Sequence, residues 1–345
     1  MPKVQQLRND IAKMGTGYGL MSMTWKETPV PQAQAFEAMY KAVELARANG
    51  SKAFFNVGEF YGNERVNLTY IKDFFAKYPE LRNEVIVSCK GGMDCATLAP
   101  KGKADDVRAS VEASVLAMGG FIDIFEVARL DTGIMLEGEM YPKESFIALA
   151  ELIENGLIGG ISLSEVNEAQ IRAIHNDWAK YITCVEVELS LFSTQILHNN
   201  IAKTCGELGL TIICYSPLGR GLLTGRIQNA SDIPAGDFRL LLKRFQGDAM
   251  QQNLLLTKFL HEEIVAKRDA SHPLTLAQLA LGWIKHWNGQ KEFNAKFIPI
   301  PSGSSITKVS ENFDESRTKI TDAEFEKINE FLKGFSTQGD RYEMV

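Results

Sequence analysis

Histidine and cysteine are both sparse in this chain, and their scarcity narrows the chemistry it can perform. The 345 residues include five histidines, none in HExxH or a similar ligand cluster, so no resident metal is expected. The five cysteines are Cys89, Cys95, Cys184, Cys205 and Cys214, an odd count without a CxxC pair. Cys89, Cys184 and Cys214 lie inside apolar runs, which reads as buried, reduced thiols and excludes a disulfide framework. No apolar stretch approaches the roughly 18 residues of a membrane span, and the opening MPKVQQLRND lacks the apolar core of a leader peptide. No long basic run occurs and the net charge is -6, which argues against nucleic acid or an anionic membrane as partner. The expected setting is the cytoplasm, with the nucleus also open because no address signal is seen.

What is present is an alternation of short apolar runs with segments of helical period. Strands are expected at 53–56, 85–89, 121–127, 157–163, 184–189, 210–214 and 297–300. Helices are expected at 32–49, 65–77, 105–118, 143–155, 168–178, 201–208, 253–268, 275–286 and 321–332. Helical connections suit a parallel sheet. No Pro/Gly/Ser-rich linker divides the chain and no tandem repeat stands out. With the glycine-rich opening counted as a strand, the pattern gives about eight units. The expected fold is α/β, a single (β/α)8 TIM barrel over 1–345 with long loops at its C-terminal face; an open Rossmann sheet is the second choice. Residues 215–251 have little periodicity and are too many for a plain connector, so a lid or binding loop is expected there.

Two strand ends carry the chemistry. Phe54–Gly62 reads FFNVGEFYG and Val85–Gly92 reads VIVSCKGG, each an apolar run ending in a proton-active group, Tyr61 and Lys90. Active groups in barrels sit at the C-terminal ends of strands, and a neighbouring ammonium lowers a phenol's pKa and makes it a usable acid. The same face gathers Ser164, Glu186, Glu188 and Tyr215. Gly15–Gly19 (GTGYG) is not a dinucleotide fingerprint: the spacing is not GxGxxG, and Pro29 and Pro31 precede the first helix. It reads instead as a barrel strand or hairpin that lets a ligand come close. Ile298–Asn312 (IPIPSGSSITKVSEN) runs from a strand through small residues to a helix start, a place where backbone N–H groups can hold phosphate.

These segments, with GGISLSEV, VEVELSLFS, CYSPLGRGLLTG, RFQGDAMQQNL and TLAQLALGWI, resemble the aldo-keto reductase superfamily over nearly the whole chain. The resemblance implies a (β/α)8 barrel that binds NADP(H) in an extended pose and transfers hydride to a carbonyl. The family pattern of Asp, Tyr, Lys and His falls on Asn56, Tyr61, Lys90 and Ala128, so the Asp and His slots are changed. Asn56 cannot pair ionically with Lys90, and Ala128 cannot donate to a substrate carbonyl. The combination of NxGEFYG with Ala-Arg resembles the fungal pyridoxal reductases, which implies pyridoxal as the aldehyde substrate and a place in vitamin B6 metabolism. The resemblance also implies cofactor roles. Ser164 and Glu186, the latter in place of the usual Gln, would hold the carboxamide, and Tyr215 would stack on the nicotinamide. Ser216, Leu218, Gly219, Arg220 and Gly221 would cover the pyrophosphate. Ser304, Lys308, Glu311 and Asn312 would hold the adenosine end, with Lys308 alone clearly charged for a 2′-phosphate. Thr24, Trp25, Phe60 and Arg129 are expected at the substrate, Arg129 as a candidate for the missing electrophile, and the tail around Arg341-Tyr342 nearby. A general aldehyde or ketone reductase, a cofactor-binding regulatory subunit resembling potassium-channel β subunits, and a cofactor-free enzyme with Lys90 as Schiff-base nucleophile are the alternatives. No protein partner is implied.

Overall fold

The structure, a computed structural model, describes residues 3–342. Eight strands follow one another around a single parallel sheet: β1 (Tyr18–Gly19), β2 (Ala53–Gly58), β3 (Val85–Gly91), β4 (Ile124–Val127), β5 (Ile161–Ser164), β6 (Ile182–Glu188), β7 (Thr211–Tyr215) and β8 (Phe297–Pro299). The barrel closes where Gly17 N donates to Pro299 O at 2.9 Å and Gly19 N to Pro301 O at 3.2 Å. The glycines of GTGYG belong to this seam. A Cβ on Gly19 would lie 2.8 Å from Ile300 O, and one on Gly17 would lie 2.7 Å from the Ile300 side chain. The close approach there is made by Ile300, just past the end of β8.

Strand residues alternate between the helix-facing and the barrel-facing side. Phe54, Ile86, Ile124, Cys184, Ile213 and Ile298 form an apolar floor inside the barrel. Two residues further along the same faces the lining turns polar, with Asn56, Ser88, Glu126 and Glu186, and Lys90 of β3 stands opposite Glu126 of β4. The site is thus built by continuing the floor's own periodicity toward the C-terminal ends.

Helix α1 (Lys3–Ala12) closes the other end and was not anticipated, because its only apolar signal is Val4, Leu7 and Ile11 in a polar decapeptide. Leu7, Ile11 and Met14 pack on the floor, each such burial stabilising by roughly 1.5–3 kcal/mol. Arg8 ties the helix down by donating to Ile182 O at 2.7 Å and Ala179 O at 2.6 Å. The expected strand at 121–127 starts only at Ile124, since Gly119 ends the preceding helix at φ 74° and Ile122 makes one isolated bridge to Ile158. The helix expected at 253–268 spans Gly247–Glu263 instead, with Asp248 in its first turn. The aperiodic segment after β7 consists of single 3₁₀ turns at Gly219–Thr224, Ala230–Asp232, Phe238–Leu241 and Lys243–Phe245, which leave no 3.6-residue rhythm to read.

Candidate active site

The loop after β2 is built to present Tyr61. Gly58 ends the strand, and a Cβ there would lie 3.0 Å from the Tyr61 ring, so glycine lets the ring fold back over the strand end without shifting. Thr24 Oγ1 donates to Tyr61 O at 2.6 Å and accepts from Asn67 Nδ2 at 2.8 Å. Thr24 is buried and its hydroxyl is spent on the Tyr61 backbone, so it holds this loop in place instead of facing a substrate. Glu59, also buried, accepts from Ser110 Oγ at 2.6 Å and pairs with Arg65 at 3.2 Å. Ser110 Oγ in turn accepts from Gly92 N at 2.8 Å. The NVGEFYG and CKGG segments are therefore clamped together by Glu59 and Ser110, two residues that sequence reasoning passed over.

Lys90 is enclosed by carboxylates. Glu126 Oε1 lies 2.9 Å from its Nζ, and Glu186 Oε1 is in direct contact with it. Asn56 does not meet Lys90; its Nδ2 donates to Glu186 Oε2 at 2.7 Å. All four side chains are buried. Glu186, expected at the carboxamide, has both oxygens engaged below that position. Glu126 is the functional residue the sequence reading missed: it sits in FIDIFEV as one acid among several, and the clue was its parity with the inward Ile124. Burial disfavours the Lys90 ammonium, but Glu126 and Glu186 outweigh it and hold its pKa well above the ordinary lysine value. Burial, then Glu126, push the Glu186 carboxyl well up against the pull of Lys90. Burial also raises the Tyr61 phenol; Lys90 pulls it down, and Glu186 and Glu126 push it back up, for a net rise.

Around Tyr61 the walls are apolar. Tyr61, Phe60, Met93 and Ala128 cluster, with Met21 and Trp25 packed against them, so the position of the family His is filled by hydrocarbon. Trp25 stacks on Tyr61 with centroids 5.4 Å apart and on Phe238 at 6.4 Å, and Phe60 meets Trp25 edge-on at 5.7 Å. Phe238 comes from the aperiodic segment after β7 and leaves 41% of its surface exposed. Arg129 points elsewhere: its guanidinium lies 4.6 Å above the Tyr342 ring. Its place as a stand-in for the His electrophile is thus not supported by a contact with Tyr61.

The cofactor residues implied by the resemblance lie at the end of β5, in the loop after β7 and around the helix Ile306–Asn312. Among the described residues Ser164 Oγ, at the end of β5, is buried without a hydrogen-bond partner, an orphaned group of the kind a carboxamide would satisfy. Tyr215 is half-buried beside it, and its hydroxyl lies 2.9 Å from Glu165 Oε1 and 2.6 Å from Arg341 Nη2. Arg341 also pairs with Glu165 at 2.8 Å and Glu188 at 2.9 Å, and Arg220 donates to Arg341 O at 2.9 Å. The tail thereby adjoins Tyr215 and Glu165, the residue after Ser164. Ser216, Leu218, Gly219, Arg220 and Gly221 follow β7 directly. Ser216, Gly219, Arg220 and Gly221 all have positive φ, which turns this loop sharply at the strand's end. At the far end Lys308 Nζ reaches Ser304 Oγ at 3.4 Å, Asn312 donates to Ser302 O at 3.3 Å, and Glu311 pairs with Arg226 at 3.1 Å. Burial and three nearby cations, Arg226, Lys26 and Arg239, hold the Lys308 pKa below its ordinary value. Arg226 and Arg239 are themselves paired, with Glu311 and Asp237.

The geometry described so far matches known proteins along its length. The aldo/keto reductase family profile matches residues 16–333. The chain is 66% identical to a putative pyridoxal reductase from Saccharomyces cerevisiae, over 99% of both chains. It is 33% identical to a probable pyridoxal reductase 2 from Schizosaccharomyces pombe, over 94% of this chain and 93% of that one. Among solved structures, a glycerol dehydrogenase from Gluconobacter oxydans superposes with a TM-score of 0.74 over 96% of this chain and 95% of its own, at 18% identity, a likeness of fold. An eight-stranded barrel that raises a tyrosine and a lysine at neighbouring strand ends, and matches the family from the first strand to the last helix, leaves one assignment: the chain belongs to the aldo/keto reductase family and is an oxidoreductase of carbonyl and alcohol groups.

Proposed function

We propose that this protein reduces pyridoxal to pyridoxine with NADPH, Tyr61 giving the proton. The observation that carries the substrate is the 66% identity, over 99% of both chains, to the Saccharomyces cerevisiae protein named as a putative pyridoxal reductase. The site agrees with it. The Tyr61–Trp25–Phe238 stack with Phe60 makes an aromatic wall, and aromatic faces favour a flat ring such as a pyridine.

The residues present suit a nicotinamide dinucleotide: the orphaned Ser164 Oγ for its carboxamide, Tyr215 for its ring, the 216–221 loop for its pyrophosphate, and Ser304, Lys308, Glu311 and Asn312 for its adenosine end. When bound, it supplies the hydride. The ammonium of Lys308, beside Ser304, suits a 2′-phosphate, which supports NADP over NAD. The chain's own part is proton delivery. The phenol of Tyr61 stays in its acid form because the buried site raises its pKa, and it donates to the carbonyl oxygen as that oxygen gains charge. Lys90 supplies the positive field that stabilises the phenolate left behind.

The test is NADPH oxidation by the purified protein, with pyridoxal beside a panel of other aldehydes and with NADH beside NADPH. Rapid loss with pyridoxal is expected. Loss only with other aldehydes would discard the vitamin assignment, and no loss despite NADPH binding would favour a regulatory role. Phe238→Ala removes the outer member of the aromatic stack, worth about 0.5–1.5 kcal/mol for such a pair. The expected result is a KM for pyridoxal roughly 3- to 10-fold higher, with little change for a short aliphatic aldehyde. Equal changes for both substrates would place Phe238 outside ring recognition.

A further inference from the structure

Two carboxylates hold Lys90, and neither stands where the family resemblance puts one. The β2 position is Asn56, which is uncharged and donates to Glu186 Oε2 at 2.7 Å. Lys90 meets Glu126 from β4 at 2.9 Å and Glu186 from β6 on its other carboxylate oxygen. The register places Glu126 directly opposite Lys90 across the β3–β4 ladder. Glu126 is fully buried, and among the described residues its oxygens have no hydrogen-bond partner beyond the contact with the Lys90 ammonium. A carboxylate in that position requires a cation or a proton, and Lys90 is the cation it touches.

The charges do not balance if all three groups ionise. One ammonium faces two carboxylates in a site removed from water. The other groups nearby do not change this count. Tyr61 is neutral as a phenol, and the Tyr215 ring lies 5.8 Å from Lys90 Nζ. Glu165 and Glu188 are paired with Arg341, Glu188 also lying 3.7 Å from Arg244. Cys184, below, is a buried thiol. Glu126 Oε1 and Glu186 Oε1 both lie against the same Lys90 Nζ, and like charges held that close together disfavour full ionisation of both.

We propose that Glu126 and Glu186 jointly replace the β2 carboxylate of the family as the counter-ion of Lys90, holding one proton between them, and that Glu126 is a positioning residue that fixes the ammonium beside Tyr61. This rests on the reading of Tyr61 and Lys90 as the proton-donating pair. The trio is then neutral overall, and the phenol beside it remains an acid.

The test moves the carboxylate back. Glu126→Gln leaves one carboxylate for Lys90, Asn56→Asp adds a third, and the double variant restores two, one of them at the β2 position where the family resemblance puts its Asp. Each single variant is expected to lose about tenfold in kcat, with the KM for NADPH within about twofold. The double variant should recover most of the lost turnover. Losses in the double variant that merely add would overturn the proposal. A second readout needs no turnover: infrared spectra of the free protein at neutral pH. A protonated-carboxyl band is expected in the wild type, lost in Glu126→Gln and regained in the double variant. Absence of the band from the wild type, or its persistence in Glu126→Gln, overturns the proposal even if the enzyme is active. If the wild type proves inactive, the functional reading fails and the spectra still decide the charge arrangement. Should Glu126→Gln not fold, Glu126→Asp withdraws the carboxyl by one methylene; a shifted or lost band supports the shared proton, and an unchanged band overturns it.

Discussion

Tyr61→Phe is expected to lower kcat for aldehyde reduction by on the order of 100-fold or more while leaving NADPH affinity intact. The substitution removes one oxygen and keeps the ring, so the stack on Trp25 at 5.4 Å and the fit over Gly58 survive. What is lost is the proton donor. The direction of the Tyr61 shift adds a pH signature. Burial, opposed by Lys90 and assisted by Glu186 and Glu126, raises the phenol above its ordinary value, which is about 10. An acid whose pKa is raised stays protonated throughout the neutral range, so the reductive kcat should be flat with pH there. The reverse reaction needs the phenolate, so the alcohol-oxidising rate should climb as pH rises. Initial rates in both directions, in wild type and Tyr61→Phe, measure this. A turnover within a few-fold of wild type would remove Tyr61 from the reaction, and an oxidative rate that falls with pH would reverse the sign assigned to its environment.

The barrel was legible because its signal is repeated: apolar runs of strand length alternate with helical periods, and two of those runs end in Tyr61 and Lys90. Other features depend on facts no single segment contains. Glu126 faces Lys90 only through the β3–β4 register, and that register is set by packing, so the sequence reading kept Asn56 in the tetrad slot and could not say where the compensating charge had gone. Glu186 had been given a cofactor role because its place on β6 is right for one; the structure shows it drawn instead to Lys90 and Asn56. Phe238 lies in single 3₁₀ turns without a period, and its partner Trp25 is some 200 residues earlier, so their stacking had no local trace. Arg341 reaches Glu165 and Glu188 from the far end of the chain for the same reason. At Gly17 and Gly19 of GTGYG the close neighbour is Ile300 at the barrel seam, and at Gly15 it is Glu315, contacts that no local motif announces.

Lys90→Met tests the enclosed charges through stability instead of rate. The methionine fills similar volume without charge, leaving Glu126 and Glu186 buried without their cation. Removing one partner from a buried ion pair typically costs about 3–5 kcal/mol, and at the alkaline end of the neutral range the variant is expected to lose that much. The loss should shrink as pH falls. Burial and Glu126 already raise the Glu186 carboxyl in the folded wild type against the pull of Lys90, and removing Lys90 raises it further. The folded variant then binds more protons than its unfolded chain between the ordinary carboxyl pKa of about 4.3 and the raised value of the folded state. Stability falls with rising pH wherever the folded state binds more protons, so the deficit grows from weakly acid pH upward. The Lys90 pKa lies well above its ordinary value in the wild type, so loss of the ammonium's own charge does not close the gap in this window. Urea unfolding midpoints of wild type and variant, compared at weakly acid and weakly alkaline pH, measure the difference. A deficit that does not change with pH would mean that Lys90 contributes packing alone, and no deficit would mean that the two carboxylates do not depend on it for their charge.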